Sequence, residues 1–342
     1  MLKSPQVGAG VAGGRRWSRR NDPLPFRMPS PTPDRRVTFA YLQVLLAGAL
    51  WGTSGPFSVA LYRLDIPPSS VALIRPAAGL LFLFLFLAYR GWRAFRLDLR
   101  DAVLLVGLGG IVVGLFQLSY QFSTEAVGVP ATVALLYLAP AWVVGMSALF
   151  LGERLTPARV GLALLSIVGV WLTVFGARGV DVDLGLRGIL WGCLTGVTYG
   201  TYTLFGKVTG RTRGALIPLF WSTVGGTAAI LVIFAVGSTP LVLPADPATW
   251  GLALVFGLLT MAAAPLLLFS ALRTLEAGRA SIGTTIEPLV AAVLAVLLLD
   301  QSLAGIGWLG LGILMLGVAG AYAAGPSARS GKSRMTSAPP AS

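Results

Sequence analysis

The stretch "GALWGTSGPF" at residues 48–57 returns 148 positions later as "GVTYGTYTLF" at 196–205. Gly48, Trp51, Gly52, Thr53 and Phe57 correspond to Gly196, Tyr199, Gly200, Thr201 and Phe205. The same offset joins Gly109 to Gly257, Pro140 to Pro288, Leu155 to Leu303 and Gly169 to Gly317. One such pair carries little weight in a chain rich in Gly and Leu. An ungapped register that runs from the start of each half to its end is a duplication.

The duplicated unit is built for lipid. Of 342 residues, 55 % are hydrophobic and 11 % charged, with a mean hydropathy of +0.79. A water-soluble chain of this length would need far more polar surface. Apolar windows of about 20 residues, enough to cross a bilayer as helices, recur between 39 and 324. Helix is the open-chain form that satisfies its own backbone in lipid. The windows predict spans at 40–60, 68–89, 102–122, 129–151, 156–176, 186–206, 214–236, 249–271, 279–299 and 303–324. Five spans per half is an odd number, so the second half must enter the membrane upside down. The expected fold is therefore all-α and integral to the membrane, with ten transmembrane helices as two inverted five-helix repeats. Repeat 1 covers 39–176 and repeat 2 covers 186–324, and tails at 1–38 and 325–342 are expected to be disordered and cytoplasmic. Inverted repeats are typical of secondary transporters.

Charge sets the orientation. Of 26 Lys and Arg, 22 fall in the tails and in the loops on one face, and only Arg63, Arg178 and Arg187 fall on the other. Arg75 lies within a span. The basic face is cytoplasmic by the positive-inside rule, and both termini lie there. The net charge of +13 thus faces anionic lipid and does not call for nucleic acid. The first tail lacks the apolar core of a signal peptide. Met28 is an alternative start to Met1, because "MPSPTPDRR" already supplies charge before the first span.

Several chemistries are excluded. The chain has no His and one Cys, Cys193, which removes an intrachain disulfide, a His-based triad and any His/Cys metal cluster. The basic loop "GKVTGRTRG" at 206–214 lacks the GxxxxGK of a phosphate loop. No cofactor is expected, and uphill work would draw on an ion or substrate gradient. An intramembrane enzyme acting on a lipid-linked substrate needs clustered acids or histidines, whereas Asp98, Asp101, Asp181 and Asp183 are scattered over two faces. A scaffold or sensor would need an appended soluble domain, and the tails are too short and polar to fold alone.

Two ionisable side chains stand well inside spans, Arg75 and Glu287. A charge near a helix centre costs roughly 2.5–3.5 kcal/mol on insertion scales, so each should face a cavity or a partner. The offset relates Arg75 to Thr223 and Glu287 to Ala139, so the scaffold is built twice and each charge once. Pro288 has no N–H, which frees the carbonyl of Thr284 to seek water, a side chain or a ligand. Pro140 does the same in the other half, and two interrupted helices at related positions fit a binding site at the midplane. Glu287 has two readings, a packing role through a hydrogen bond or an ion pair with Arg75, or contact with substrate or a coupling proton. Arg75 also has two, holding a substrate carboxylate by a bidentate contact or snorkelling to the outer interface. Gln117, Tyr120 and Gln121 share a helical face. With Trp51, Tyr137, Tyr199 and Tyr202 they suggest an aromatic and polar cavity for a small amphipathic molecule, although each taken singly is as easily a packing residue. "GER" at 152–154 reads as a cytoplasmic turn, and Thr156 before Pro157 as an N-cap.

"LWGTSGPF" near the start and "STEAVGVPATVALLYLAPAWVVGMSALFLGERL" at 123–155 resemble the two halves of an EamA-type repeat. "TIEPLVAAVLAVLLLDQSL" at 285–303 resembles the matching segment of a second copy. The resemblance is to the drug/metabolite transporter superfamily and covers about 40–324. It implies a secondary-active or facilitative transporter, in the exporting direction, for small metabolites such as amino acids or related amphipathic compounds. Two halves would rock about a central site in the bacterial inner membrane, with a small-molecule substrate, a candidate coupling proton and membrane lipid as partners. One departure is visible: "LGER" in the first half becomes "LDQS" at 299–302, and loss of the Arg agrees with the charge rule on the outer face.

Overall fold

A computed structural model of the chain describes residues 35–91, 95–139, 141–142, 145–146, 149, 157–178, 185–213, 216–237, 240–271, 274 and 284–323. Pro140, the "GER" turn, Thr156 and the tails (except residues 35–38) lie outside them. Among the described residues five helices are long and apolar enough to cross a membrane: Arg35–Tyr62, Pro68–Tyr89, Leu99–Leu136, Leu216–Gly237 and Pro247–Leu268. Three shorter apolar helices accompany them, Val160–Gly176, Ile286–Leu299 and Gly305–Gly320.

The predicted first span is two helices, α1 (Arg35–Gly52) and α2 (Ser54–Tyr62). Pro56 cannot donate to the carbonyl of Gly52, and at the break the Thr53 hydroxyl donates to the Leu50 carbonyl at 2.6 Å. Helix α3 (Pro68–Arg90) opens on a proline, where a missing N–H costs nothing. Next come α4 (Leu99–Asp101), capped by the Asp98 carboxylate, a π-helical turn at Ala102–Leu108, and α5 (Gly109–Leu136). The connection expected at 123–128 is helical. The chain changes direction only at Gly128, whose φ of 78° suits a residue without Cβ.

Helix α6 (Pro157–Gly176) ends in a two-residue strand, β1 (Ala177–Arg178). The second half comprises α7 (Leu186–Arg213), α8 (Leu216–Gly237), α9 (Pro247–Gly257), a π turn at Leu258–Ala263 and α10 (Ala264–Ala271). It closes with α11 (Ile286–Leu299), β2 (Ser302–Leu303) and α12 (Gly305–Ala323), and β2 pairs antiparallel with β1. The third helix of each repeat carries a π turn.

Glycine contacts show how the repeats meet. A Cβ on Gly169 would strike Leu314 and Gly310, and one on Gly317 would strike Ser166 and Leu162. Gly176 meets Gly307 and Gly310 meets Thr173, so numbers rise on α6 as they fall on α12. The pair is antiparallel. The offset turns Gly169, Leu314 and Gly310 into Gly317, Ser166 and Leu162, as a two-fold axis requires. Gly48 against Thr284 and Ile286 matches Gly196 against Leu136 and Leu138 in the same way. Small residues let the backbones approach, as helix association in lipid demands. Leu85 on α3, Val232 on α8, Leu297 on α11 and Leu316 on α12 point outward, as a lipid-facing surface allows.

Candidate substrate site

Arg75 turns inward from α3 and is only 4 % exposed. Its Nε donates to the Thr260 hydroxyl at 3.1 Å, one Nη to the Ser54 hydroxyl at 3.2 Å and the other to Gln117 Oε1 at 3.5 Å. The guanidinium carbon lies 5.0 Å from the ring centre of Phe256 and 5.4 Å from that of Tyr120, within cation–π range of both. Every one of these partners is neutral, and they come from both repeats. Thr260 belongs to the second π turn. Its hydroxyl donates back to the Phe256 carbonyl at 2.8 Å, leaving its lone pairs to Arg75. The Thr260 carbonyl accepts from Trp51 Nε1 at 3.0 Å. A π turn disturbs the regular ladder, and here it presents both polar atoms of one residue to the first repeat. The amide of Gln117 rests on Met261 Sδ at 3.4 Å.

Glu287 is 7 % exposed and lies in the first turn of α11. The Tyr137 hydroxyl is 3.2 Å from both Glu287 Oε2 and the Thr284 carbonyl. The carbonyl that Pro288 frees thus meets a side chain of the opposite repeat. Pro288 lies with Glu287 in the first turn of α11, which begins at Ile286. Gly52 makes the approach of α1 possible, since a Cβ there would lie 3.0 Å from the Glu287 carbonyl and 2.8 Å from Val290.

Among the described residues Arg75 and Glu287 form no ion pair: Arg75 bonds to Thr260, Gln117 and Ser54, and Glu287 to Tyr137. This corrects the ion-pair reading of Glu287, and the inward turn of Arg75 corrects its snorkelling reading. Trp51 and Arg75 meet at Thr260, Gln117 and Tyr120 stand against Arg75, and Tyr137 stands with Glu287. Tyr199 sits one layer out, its ring 5.7 Å from Phe116, which lies 6.1 Å from Tyr120. Tyr202 stacks instead on Phe205 at 6.4 Å, where α7 approaches Gly109 and Ser222. Gln121 accepts from the Tyr62 hydroxyl at 2.6 Å. No group of three or more His, Cys, Asp or Glu able to hold a metal occurs among the described residues.

Residues 38–175 and 186–323 each match the EamA-like transporter family. The chain belongs to that family. It is a transporter fold with two EamA repeats in a multi-pass membrane protein, and the family is not one of enzymes. Relatives include a Salmonella typhimurium protein named uncharacterized inner membrane transporter YicL, 25 % identical over 81 % of this chain and 93 % of its own length. The pseudopaline exporter CntI of Pseudomonas aeruginosa is 22 % identical over 57 % of this chain and 66 % of its own. A solved crystal structure, 19 % identical, superposes over 83 % of this chain and 96 % of that one with a TM-score of 0.57, a likeness of fold.

Within this EamA-like chain, sequence reasoning missed Ser54, Thr260 and Phe256. One signal was available for the charges themselves: Arg75 precedes Pro76 as Glu287 precedes Pro288, so each charge adjoins a helix irregularity. The departure "LDQS" also has a structural role. Asp300 adopts φ 58° to end α11, and Gln301 Oε1 accepts the Val129 N–H at 2.8 Å, just past the Gly128 break.

Proposed function

We propose that this EamA-family protein exports small amphipathic metabolites, amino acids or related compounds, across a bacterial inner membrane with both termini in the cytoplasm. The two repeats alternate access to a midplane site walled by the Arg75 group and the Glu287–Tyr137 pair. The observation that carries the reading is a buried guanidinium whose hydrogen-bond and ring partners among the described residues are all neutral. A desolvated cation of this kind gains most from an anionic group brought to it, and Arg suits a carboxylate. Glu287 offers the opposite charge for an amine and is the candidate carrier of a coupling proton. A relative named as an exporter supports the direction.

A thermal-shift screen of the purified protein against amino acids, nucleosides, sugars and cationic drugs tests the substrate class, because a ligand bound to the native state raises the melting temperature. Zwitterionic amino acids are expected to stabilise the wild type, and Arg75→Ala and Glu287→Ala to lose that stabilisation. Full retention in both variants would return the two residues to packing. In liposomes Glu287→Gln is expected to abolish the dependence of transport on a pH gradient; intact dependence would end the proton role.

A further inference from the structure

We propose that Arg63 and Gln301 form a latch that holds the extracytoplasmic mouth of the transport pathway shut. The proposal rests on the transport reading and orientation given above. Both side chains cross from one repeat to the other. Arg63, in the turn after α2, donates to the carbonyls of Leu298 and Leu299 at 3.4 and 3.1 Å. These carbonyls end α11 and have no partner further along that helix. Gln301, just beyond α11, accepts from Val129 at 2.8 Å on the opposite repeat. The Ala304 N–H donates to the Gly176 carbonyl at 2.8 Å, and the short β1–β2 pairing lies beside it.

Both latched helices end at the substrate site. Helix α11 has the latch at its C-terminal end and Glu287 in its first turn, about 20 Å away at 1.5 Å per residue. Helix α2 has Arg63 just past its end and Ser54, an Arg75 partner, at its start. Tyr62, next to Arg63, lines an outer vestibule of about 250 Å³ with Asp65, Ile66, Pro67, Pro68 and Glu125. Its hydroxyl bonds to Gln121 at 2.6 Å, and behind it Gln117 and Tyr120 are at most 2 % exposed. Movement of the turn at 63–65 would therefore carry the Tyr62 plug with it.

The latch is chemically suited to release. Its bonds join charged or amide side chains to neutral backbone groups, and water can take over each of them at the outer surface without separating an ion pair. The α6–α12 contact differs, because backbone lies on backbone with no room for rearrangement.

A sided labelling assay tests this without any substrate. Cys193→Ser removes the native thiol, and Thr124→Cys supplies a reporter at a position 2 % exposed. Labelling by a membrane-impermeant maleimide is followed in right-side-out and inside-out vesicles of the full-length chain. Adding Arg63→Ala with Gln301→Ala is expected to raise the rate from the extracytoplasmic face by about tenfold, the population shift that loss of a few hydrogen bonds supports. Arg63→Lys, which keeps a donor, should fall between, with an unchanged melting temperature. Should the double variant melt early, Gln301→Ala alone is measured and a several-fold rise is still required. An unchanged rate at unchanged melting temperature overturns the latch, as does a rise confined to inside-out vesicles. Loss of substrate binding with intact latch behaviour would instead count against the transport site alone.

Discussion

Tyr137 links the two irregularities around Glu287 through one hydroxyl, 3.2 Å from the carboxylate and 3.2 Å from the Thr284 carbonyl. Tyr137→Phe removes that hydroxyl and little volume. Side-chain hydrogen bonds between membrane helices average about 0.6 kcal/mol and reach about 1.7, so melting should fall modestly. The same change should displace the pH profile of transport, and Tyr199→Phe, one layer out, should leave it in place. Paired melting curves and pH profiles decide. Asp246 gives a cleaner acid-dependent effect outside the membrane-spanning segments. The Thr249 hydroxyl, with the N–H groups of Thr249 and Ala248, holds its carboxyl below the ordinary range. A depressed carboxyl contributes stability above its unfolded pKa of about 4 and loses it as pH falls through the folded value. The wild type should therefore lose melting temperature on acidification below that point. Asp246→Ala, which lacks the cap at every pH, should melt lower at neutral pH and respond less to acid.

Helix packing makes its own prediction through glycine. A Cβ at Gly169 already meets the backbone of Leu314, so Gly169→Val drives side-chain atoms into it, whereas a Cβ at Gly312 on α12, the site of Gly312→Val, meets nothing within 4 Å. The first should abolish or severely lower thermal stability in detergent and the second should not, although both put a branched residue into a helix. Element positions were largely legible because apolar windows mark spans directly; α6, α8, the α9–α10 pair and α12 fall within a few residues of expectation. The departures have local causes. The break at Thr53 turns on the Gly52 carbonyl that Pro56 leaves free and the hydroxyl bond to Leu50, and the 123–128 connection stays helical up to Gly128. Of the site, the charges were legible because an ionisable residue in an apolar window is conspicuous. Their neutral partners were not. Ser and Thr recur along these helices and return their hydroxyls to the carbonyl four residues back, as Thr198, Thr223 and Thr227 do. Thr260 makes the same bond and differs only in facing Arg75.

Over the whole molecule, the duplication builds a two-fold frame on which the buried charges Arg75 and Glu287 are each placed once. Neither half satisfies them alone: Arg75 in the first draws on Thr260 of the second, and Glu287 in the second draws on Tyr137 of the first. The contacts of α6 with α12 and of α5 with α7 likewise join opposite halves. A helix bundle in lipid can assemble from separately inserted pieces when the helix contacts are specific. Residues 1–180 and 181–342 produced as two chains should therefore co-purify through a tag on either one, and the complex should melt near the intact protein. Each half alone should be degraded or aggregate, since it carries a buried charge without its partner and one face of a glycine seam uncovered. Halves that accumulate singly, and bind nothing when mixed, would show that the frame does not depend on the contact between the repeats.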